Sequence, residues 1–141
     1  MARQGKKIRR DIPVAELEVL RVLWQLDRGT VRDVREELTR KGRRLAHTTI
    51  LTLFERLEKK GYVECDRSGA ANLYRPTVSR DEVTTDRLTS LVDQLGDGRA
   101  APLVLRLVEM HELSPEDIRQ LREVLSRLEG ESRTRRKRKK R

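Results

Sequence analysis

A helix with one buried face, followed at once by a short β-hairpin, most constrains how this chain can fold. Apolar residues at helical spacing predict the helix over about 46–60; they are Ile50, Leu53, Phe54 and Leu57. Gly61 follows two lysines, as expected where a helix ends in a left-handed residue. Two β-prone runs then flank Ser68 and Gly69, and this pattern predicts a hairpin over about 62–76.

Two amphipathic helices precede these elements. The apolar face of the first begins at Val14 and includes Trp24 as a core anchor, and we expect this helix to end near Asp27, stopped by Gly29. A shortened capping box at Thr30 opens the second helix. Three helices and a basic hairpin are typical of a winged helix-turn-helix domain, here over 11–78. In that fold the third helix can enter the DNA major groove while the hairpin lies along the backbone.

The third helix and the hairpin supply the residues that could contact DNA. The first two turns of a recognition helix reach base edges, and the candidates there are His47, Thr48, Thr49, Leu51 and Thr52. Basic residues around this helix and in the hairpin are candidates for phosphate contacts: Arg44, Arg56, Lys59, Lys60, Arg67 and Arg75. Each of these charges could equally be a solvated surface residue.

The pattern of apolar residues and capping signals over residues 79–130 predicts three more helices. Ser79 begins a capping box, Ser114 is a second helix start, and Gly130 can end the last helix. The apolar residues exceed what a small isolated unit would bury, so we expect a helical domain that forms a homodimer. The interface candidates are Leu88, Leu91, Leu95, Leu103, Leu107, Ile118, Leu121, Leu125 and Leu128. The alternative, in which the last helix folds back on its own domain, stays open at this point.

Positive charge lies mainly at the two ends of the chain. The net charge is +10, yet residues 11–130 carry two more acidic than basic groups. Residues 1–10 and 131–141 are therefore predicted to be a disordered basic arm and tail, which either bind phosphate or keep the protein in solution. The charge makes nucleic acid a plausible partner.

Other classes of function are disfavoured by what the sequence lacks. Cys65, His47 and His111 are too few and too scattered for a metal site. We find no phosphate loop, nucleophile elbow or paired catalytic carboxylates, so neither an enzyme nor a cofactor is expected. No apolar run could cross a bilayer, and with a single cysteine we predict a cytoplasmic protein without membrane insertion.

Several collinear segments resemble the penicillinase-repressor (BlaI/MecI-type) family of bacterial repressors. They are I-P-V-A-E-L-E-V-L at 12–20, V-L-W at 22–24, T-T-I-L-T-L at 48–53, R-L at 56–57, K-K-G at 59–61, L-V-L at 103–105 and L-S-P-E-D-I at 113–118. The resemblance implies a dimer that binds a dyad-symmetric operator and represses transcription. It also implies DNA contacts at Thr48, Thr49, Leu51, Thr52 and Arg56.

In that family, repression is often relieved by proteolysis within the dimerisation domain after a membrane sensor detects a β-lactam. The resemblance therefore implies a protease or membrane sensor as a further partner. Copper-responsive relatives carry a C-terminal cysteine cluster that this chain lacks. Two alternatives remain: a MarR-like or PadR-like ligand sensor, and a winged-helix protein-interaction module whose basic tails bind without specificity.

Overall fold

The computed structural model describes residues 12–140 and confirms a mostly α-helical fold with one small hairpin. The elements are α1 (Val14–Leu26), α2 (Val31–Arg40), α3 (His47–Lys59), β1 (Val63–Asp66), β2 (Leu73–Pro76), α4 (Arg80–Leu95), α5 (Ala101–Met110) and α6 (Pro115–Lys140). The predicted arm at 1–10 lies outside the described residues.

Helix starts follow the capping signals of the sequence. The Asp33 amide donates to Thr30 Oγ1 at 3.1 Å, while the Thr30 amide donates to the Asp33 carboxylate at 2.9 Å. The Glu82 amide likewise donates to Ser79 Oγ at 3.0 Å at the start of α4. At the other end of α3, Gly61 has φ +82°, the left-handed conformation predicted for it.

One core holds α1, α2, α3 and the hairpin together. The Phe54 and Tyr74 rings stack with their centroids 4.0 Å apart, which joins α3 to β2. Trp24 packs against this core, and its Nε1 donates to the Val78 carbonyl at 2.8 Å. Val14, however, is 74% exposed, so its predicted place on the buried face is wrong. It lies in the first turn of α1, where the buried face begins only at Glu16.

Gly29 has a different role from the one predicted. As predicted, α1 ends at Asp27, which has φ +73°, but Gly29 pairs with the hairpin rather than stopping the helix. The Gly29 amide donates to the Tyr74 carbonyl at 2.9 Å, and the Tyr74 amide donates back to the Gly29 carbonyl at 2.8 Å. This isolated bridge holds the two-stranded β1–β2 sheet against the α1–α2 connection.

The first compact unit extends to Leu91, beyond the predicted boundary at 78/79. The early turns of α4 belong to this unit because Val83 is buried in its core. Arg87 also donates to the Ile12 carbonyl, and the Arg80 guanidinium lies 5.2 Å from the Trp24 ring centroid. The prediction assigned all of α4 to the second domain, because capping signals and apolar periodicity do not show which other elements of the chain a helix packs against.

The second unit begins at Val92 and contains α5 and α6. Gly96 follows α4 at a site where an added Cβ would lie 2.3 Å from the Arg99 carbonyl oxygen, so only glycine fits there. α6 does not end at Gly130 but continues to Lys140, so the predicted disordered tail is helical over 131–140. One glycine costs a helix only about 1 kcal/mol relative to alanine, and basic side chains near a helix C-terminus are favourable.

Candidate nucleic-acid interface

The N-terminal half of α3 presents a polar face to solvent. His47, Thr48, Thr49 and Thr52 are exposed, while the buried residues of the same helix fix its orientation. The helix is capped by Ala46, which makes no side-chain capping bond. The first backbone N–H groups of α3 are therefore available to donate hydrogen bonds to an anion such as a phosphate.

Leu51 is less exposed than predicted, whereas Thr52 is exposed but its hydroxyl group already makes a hydrogen bond. Leu51 is half-buried against the core, so only part of its side chain could meet a base. The Thr52 hydroxyl donates to the Thr48 carbonyl at 2.9 Å. Its oxygen can still accept a hydrogen bond, and its methyl group can pack on a thymine methyl.

The six phosphate candidates fall into two groups. Arg44, Arg56 and Lys59 are exposed and have no ion-pair partner among residues 12–140. The other three, Lys60, Arg67 and Arg75, each pair with a glutamate. Of these six candidates, only the first group presents unpaired positive charge beside the exposed face of α3.

Lys60 pairs with the most deeply buried carboxylate in this part of the fold. Its Nζ lies 2.7 Å from Glu16 Oε1, and the Glu16 residue is 1% exposed. A buried carboxylate requires a charged or hydrogen-bonding partner. The contact joins α1 to the C-terminal end of α3. The Lys60 ammonium group therefore stabilises the fold and is already engaged, rather than free to bind a DNA phosphate.

Arg67 connects the hairpin loop to α3. Its two terminal nitrogens donate to the Glu58 carboxylate at 2.8 and 3.0 Å in a bidentate pair. These hydrogen bonds hold the pKa of Glu58 below its ordinary value of 4.5 and raise the pKa of Arg67. The pair orients Arg67 while leaving its side chain 56% exposed.

The rest of the wing carries local charge pairs. Arg75 faces Glu64 across the β1–β2 register and forms an ion pair with it. In the hairpin loop, the Ser68 amide and hydroxyl donate to the Asp66 carboxylate at 2.9 and 2.6 Å, and these bonds lower the pKa of Asp66. The wing is therefore less positive than its arginines alone suggest.

Two arginines of α2 were missed by the sequence reasoning. Arg32 and Arg35 line a surface depression of about 590 Å³ together with His47. Arg35 Nε also donates to the Leu45 carbonyl at 3.2 Å, which fixes the loop that leads into α3. Their exposure could have been found from their i, i+3 spacing, which places both outside the apolar face formed by Val31, Val34 and Leu38.

The predicted dimer residues mostly remain uncovered in the single chain. All except the half-buried Leu103 are exposed, with Leu95 at 72% and Leu125 at 58%. Further exposed apolar side chains that the prediction did not include are Val104, Leu105, Val108, Met110 and Val124. So much exposed apolar surface on the second half of α4 and on α5 and α6 favours a covering partner.

Within residues 12–140, no three histidine, cysteine or acidic side chains gather as metal ligands. Helices of this same part of the chain are all too short or too polar to span a membrane.

Comparison with known proteins identifies related chains. The profile of the family described as "Penicillinase repressor" matches residues 12–127. The transcriptional regulator BlaI of Mycobacterium tuberculosis is 33% identical, over 82% of this chain and 83% of its own length. The penicillinase repressor of Bacillus licheniformis is 30% identical, over 79% and 86% respectively. The solution structure of monomeric B. licheniformis BlaI with the blaP half-operator matches 52% of this chain and 88% of that one, at 32% identity and a TM-score of 0.44.

Proposed function

This chain belongs to the penicillinase repressor family, and we propose that it represses transcription as a dimer bound to a palindromic DNA operator. Membership of this family means that the chain is a DNA-binding repressor and not an enzyme. The dimer, the operator symmetry and the contacting residues are our proposal for this chain, as is a cytoplasmic location beside the DNA.

The exposed polar face of α3 carries the proposal for base recognition. His47, Thr48, Thr49 and Thr52 present imidazole, hydroxyl and methyl groups, which can contact base edges in the major groove. Half-buried Leu51 can add an apolar contact at the edge of this face. Arg44, Arg56 and Lys59 surround the face with unpaired positive charge that would hold phosphates on either side.

Substitution on α3 tests this assignment. Thr48→Ala and Thr52→Ala should each lower the preference for DNA from the protein's own promoter over random duplex by about 1 to 3 kcal/mol. Thr85→Ala, an exposed site on α4, is the matched control and should leave the preference unchanged. Competitive gel shifts provide the measurement. A wild-type protein that loses promoter DNA equally to any competitor would instead indicate a protein-interaction module.

A homodimer would cover the apolar side chains of the second unit. In α6, Ile118, Leu121, Leu125 and Leu128 recur at three- and four-residue steps, which is the spacing of a helix-packing stripe. A two-fold dimer would present α3 twice, and its half-sites would be separated by whole helical turns of DNA.

The oligomeric state provides the test. Leu125→Glu and Leu128→Glu should convert a two-chain mass into a one-chain mass in sedimentation equilibrium, because a carboxylate at the interface would lose its water. Ser126→Glu adds the same charge beside the stripe and should leave the dimer intact. A wild-type mass of one chain at micromolar concentration would refute the dimer and favour a helix that folds back on its own unit.

Relief of repression is the remaining part of the proposal. Following the family resemblance, we assign it to a protease acting on the helical unit after a membrane sensor detects a β-lactam. Immunoblots of cells before and after β-lactam exposure test this directly. An intact chain together with an induced target gene would contradict proteolysis and support a ligand sensor of the MarR or PadR kind.

A further inference from the structure

The C-terminal segment of the chain, which includes the last turns of α6, is strongly basic. Residues 131–141 contain eight basic residues and one acidic residue, against a net charge of +10 for the whole sequence. The structure describes 131–140 as helix, exposed at every position. None of the basic side chains there has an ion-pair partner among residues 12–140. Such a charge density attracts a polyanion.

The helix sorts these charges onto different faces. Four of them recur at i, i+3, i+4 and i+7 and therefore share one face. These four, which we call the basic stripe, are Arg133, Arg136, Lys137 and Lys140. At a rise of about 1.5 Å per residue, the stripe extends about 10 Å along the helix.

Two of the other cations lie in line with the apolar stripe of α6. Leu121, Leu125 and Leu128 recur at steps of four and three residues, and Arg135 and Lys139 continue that heptad spacing. In the proposed dimer this side of α6 faces the partner helix. The basic stripe lies to one side of it, on a flank that a partner helix would leave open.

We propose that the basic stripe binds the phosphates of duplex DNA without reading its sequence, as a second contact besides α3. The inference rests on the proposed function, since it assumes DNA as the partner. Duplex DNA fits better than a membrane surface, because residues 131–140 include no apolar side chain that could enter a bilayer. Phosphate contacts from arginine and lysine add affinity and salt dependence but no base preference.

A pair of charge-matched variants of the full chain tests the inference. The stripe variant replaces Arg133, Arg136, Lys137 and Lys140 by glutamine. The control variant replaces Arg127, Arg135, Arg138 and Lys139 by glutamine, all of them in α6 and outside the basic stripe, and removes the same charge. Glutamine is a good helix former, and circular dichroism should show equal helicity in both variants.

Binding to a random 30-base-pair duplex is then measured against salt concentration. Each phosphate contact contributes about 0.9 to the log–log slope, so the stripe variant should lose about 3 to 4 in slope for each chain that docks. Between 50 and 200 mM salt, wild type should then lose about a hundredfold more affinity than the stripe variant. The control variant should change the slope by less than half as much, and both variants should keep the wild-type preference for promoter DNA.

Equal changes in the salt slope of the two variants would refute a specific role for the basic stripe. The total charge, and not its placement on one helical face, would then explain binding. An unchanged slope in both would overturn the contact itself. Vesicles containing phosphatidylserine serve as the competing partner, and loss of vesicle binding by the stripe variant with an unchanged DNA slope would assign the stripe to lipid. If the proposed function were wrong, the wild-type protein would show no preference for its own promoter over random duplex, whatever the salt slopes of the variants.

Discussion

Replacement of Lys60 by methionine should destabilise the first unit rather than weaken DNA binding. Methionine keeps much of the side-chain length but removes the ammonium group that lies 2.7 Å from Glu16. The Glu16 residue is 1% exposed, so its carboxylate would remain buried without its cationic partner. Loss of one member of a buried ion pair costs about 3 to 5 kcal/mol because the remaining charge is uncompensated.

The expected cost here is somewhat smaller. The Lys60 side chain is 35% exposed, so water can partly replace the lost ammonium group, and we expect about 2 to 3 kcal/mol. For a unit of this size, that corresponds to a fall in melting temperature of about 10 °C or more. Trp24 is the only tryptophan in the sequence and lies in the first unit, so its fluorescence reports unfolding of that unit.

A double variant tests whether the loss of stability comes from the unpaired charge of Glu16 or from a change in packing. Glu16→Leu combined with Lys60→Met removes both charges and should restore most of the stability, since apolar replacements of buried ion pairs are often neutral or stabilising. If Lys60→Met leaves the melting temperature unchanged and weakens binding to all DNA sequences alike, Lys60 is a phosphate contact and the packing argument is refuted. A double variant no more stable than the single variant would also refute it.

Three further predictions concern the wing and the first core. The pKa of Glu58 is lowered, so its contact with Arg67 stabilises the fold above pH 4.5, and this stabilisation is lost as the pH falls through the lowered pKa. Arg67→Gln should raise the Glu58 pKa toward 4.5 in an NMR titration. An unchanged pKa would contradict the pairing. Trp24→Phe should cost about 1 kcal/mol in urea unfolding, because the hydrogen bond to the Val78 carbonyl is lost; an unaltered midpoint would show that water replaces it. Gly61→Ala should cost about 1 to 2 kcal/mol in the same assay, since φ is +82°, and a smaller cost would mean that the turn relaxes.

Features that depend on neighbouring residues could be predicted from the sequence. The buried face of α3, the capping box at Thr30 and the left-handed Gly61 each arise from side chains and amides within about one helical turn. The hairpin between β1 and β2 was recognisable for the same reason, because a short gap with Gly69 can reverse the chain locally.

Which charges remain available for DNA was decided only by the tertiary structure. Lys60 meets Glu16 from 44 positions away in the chain, and Arg67 meets Glu58 only because the hairpin folds back beside α3. Likewise, the bridge between Gly29 and the hairpin needs two segments that no local pattern relates. An ion pair depends on the distance between two groups in space, whereas periodicity reports only which way a side chain faces on its own helix or strand.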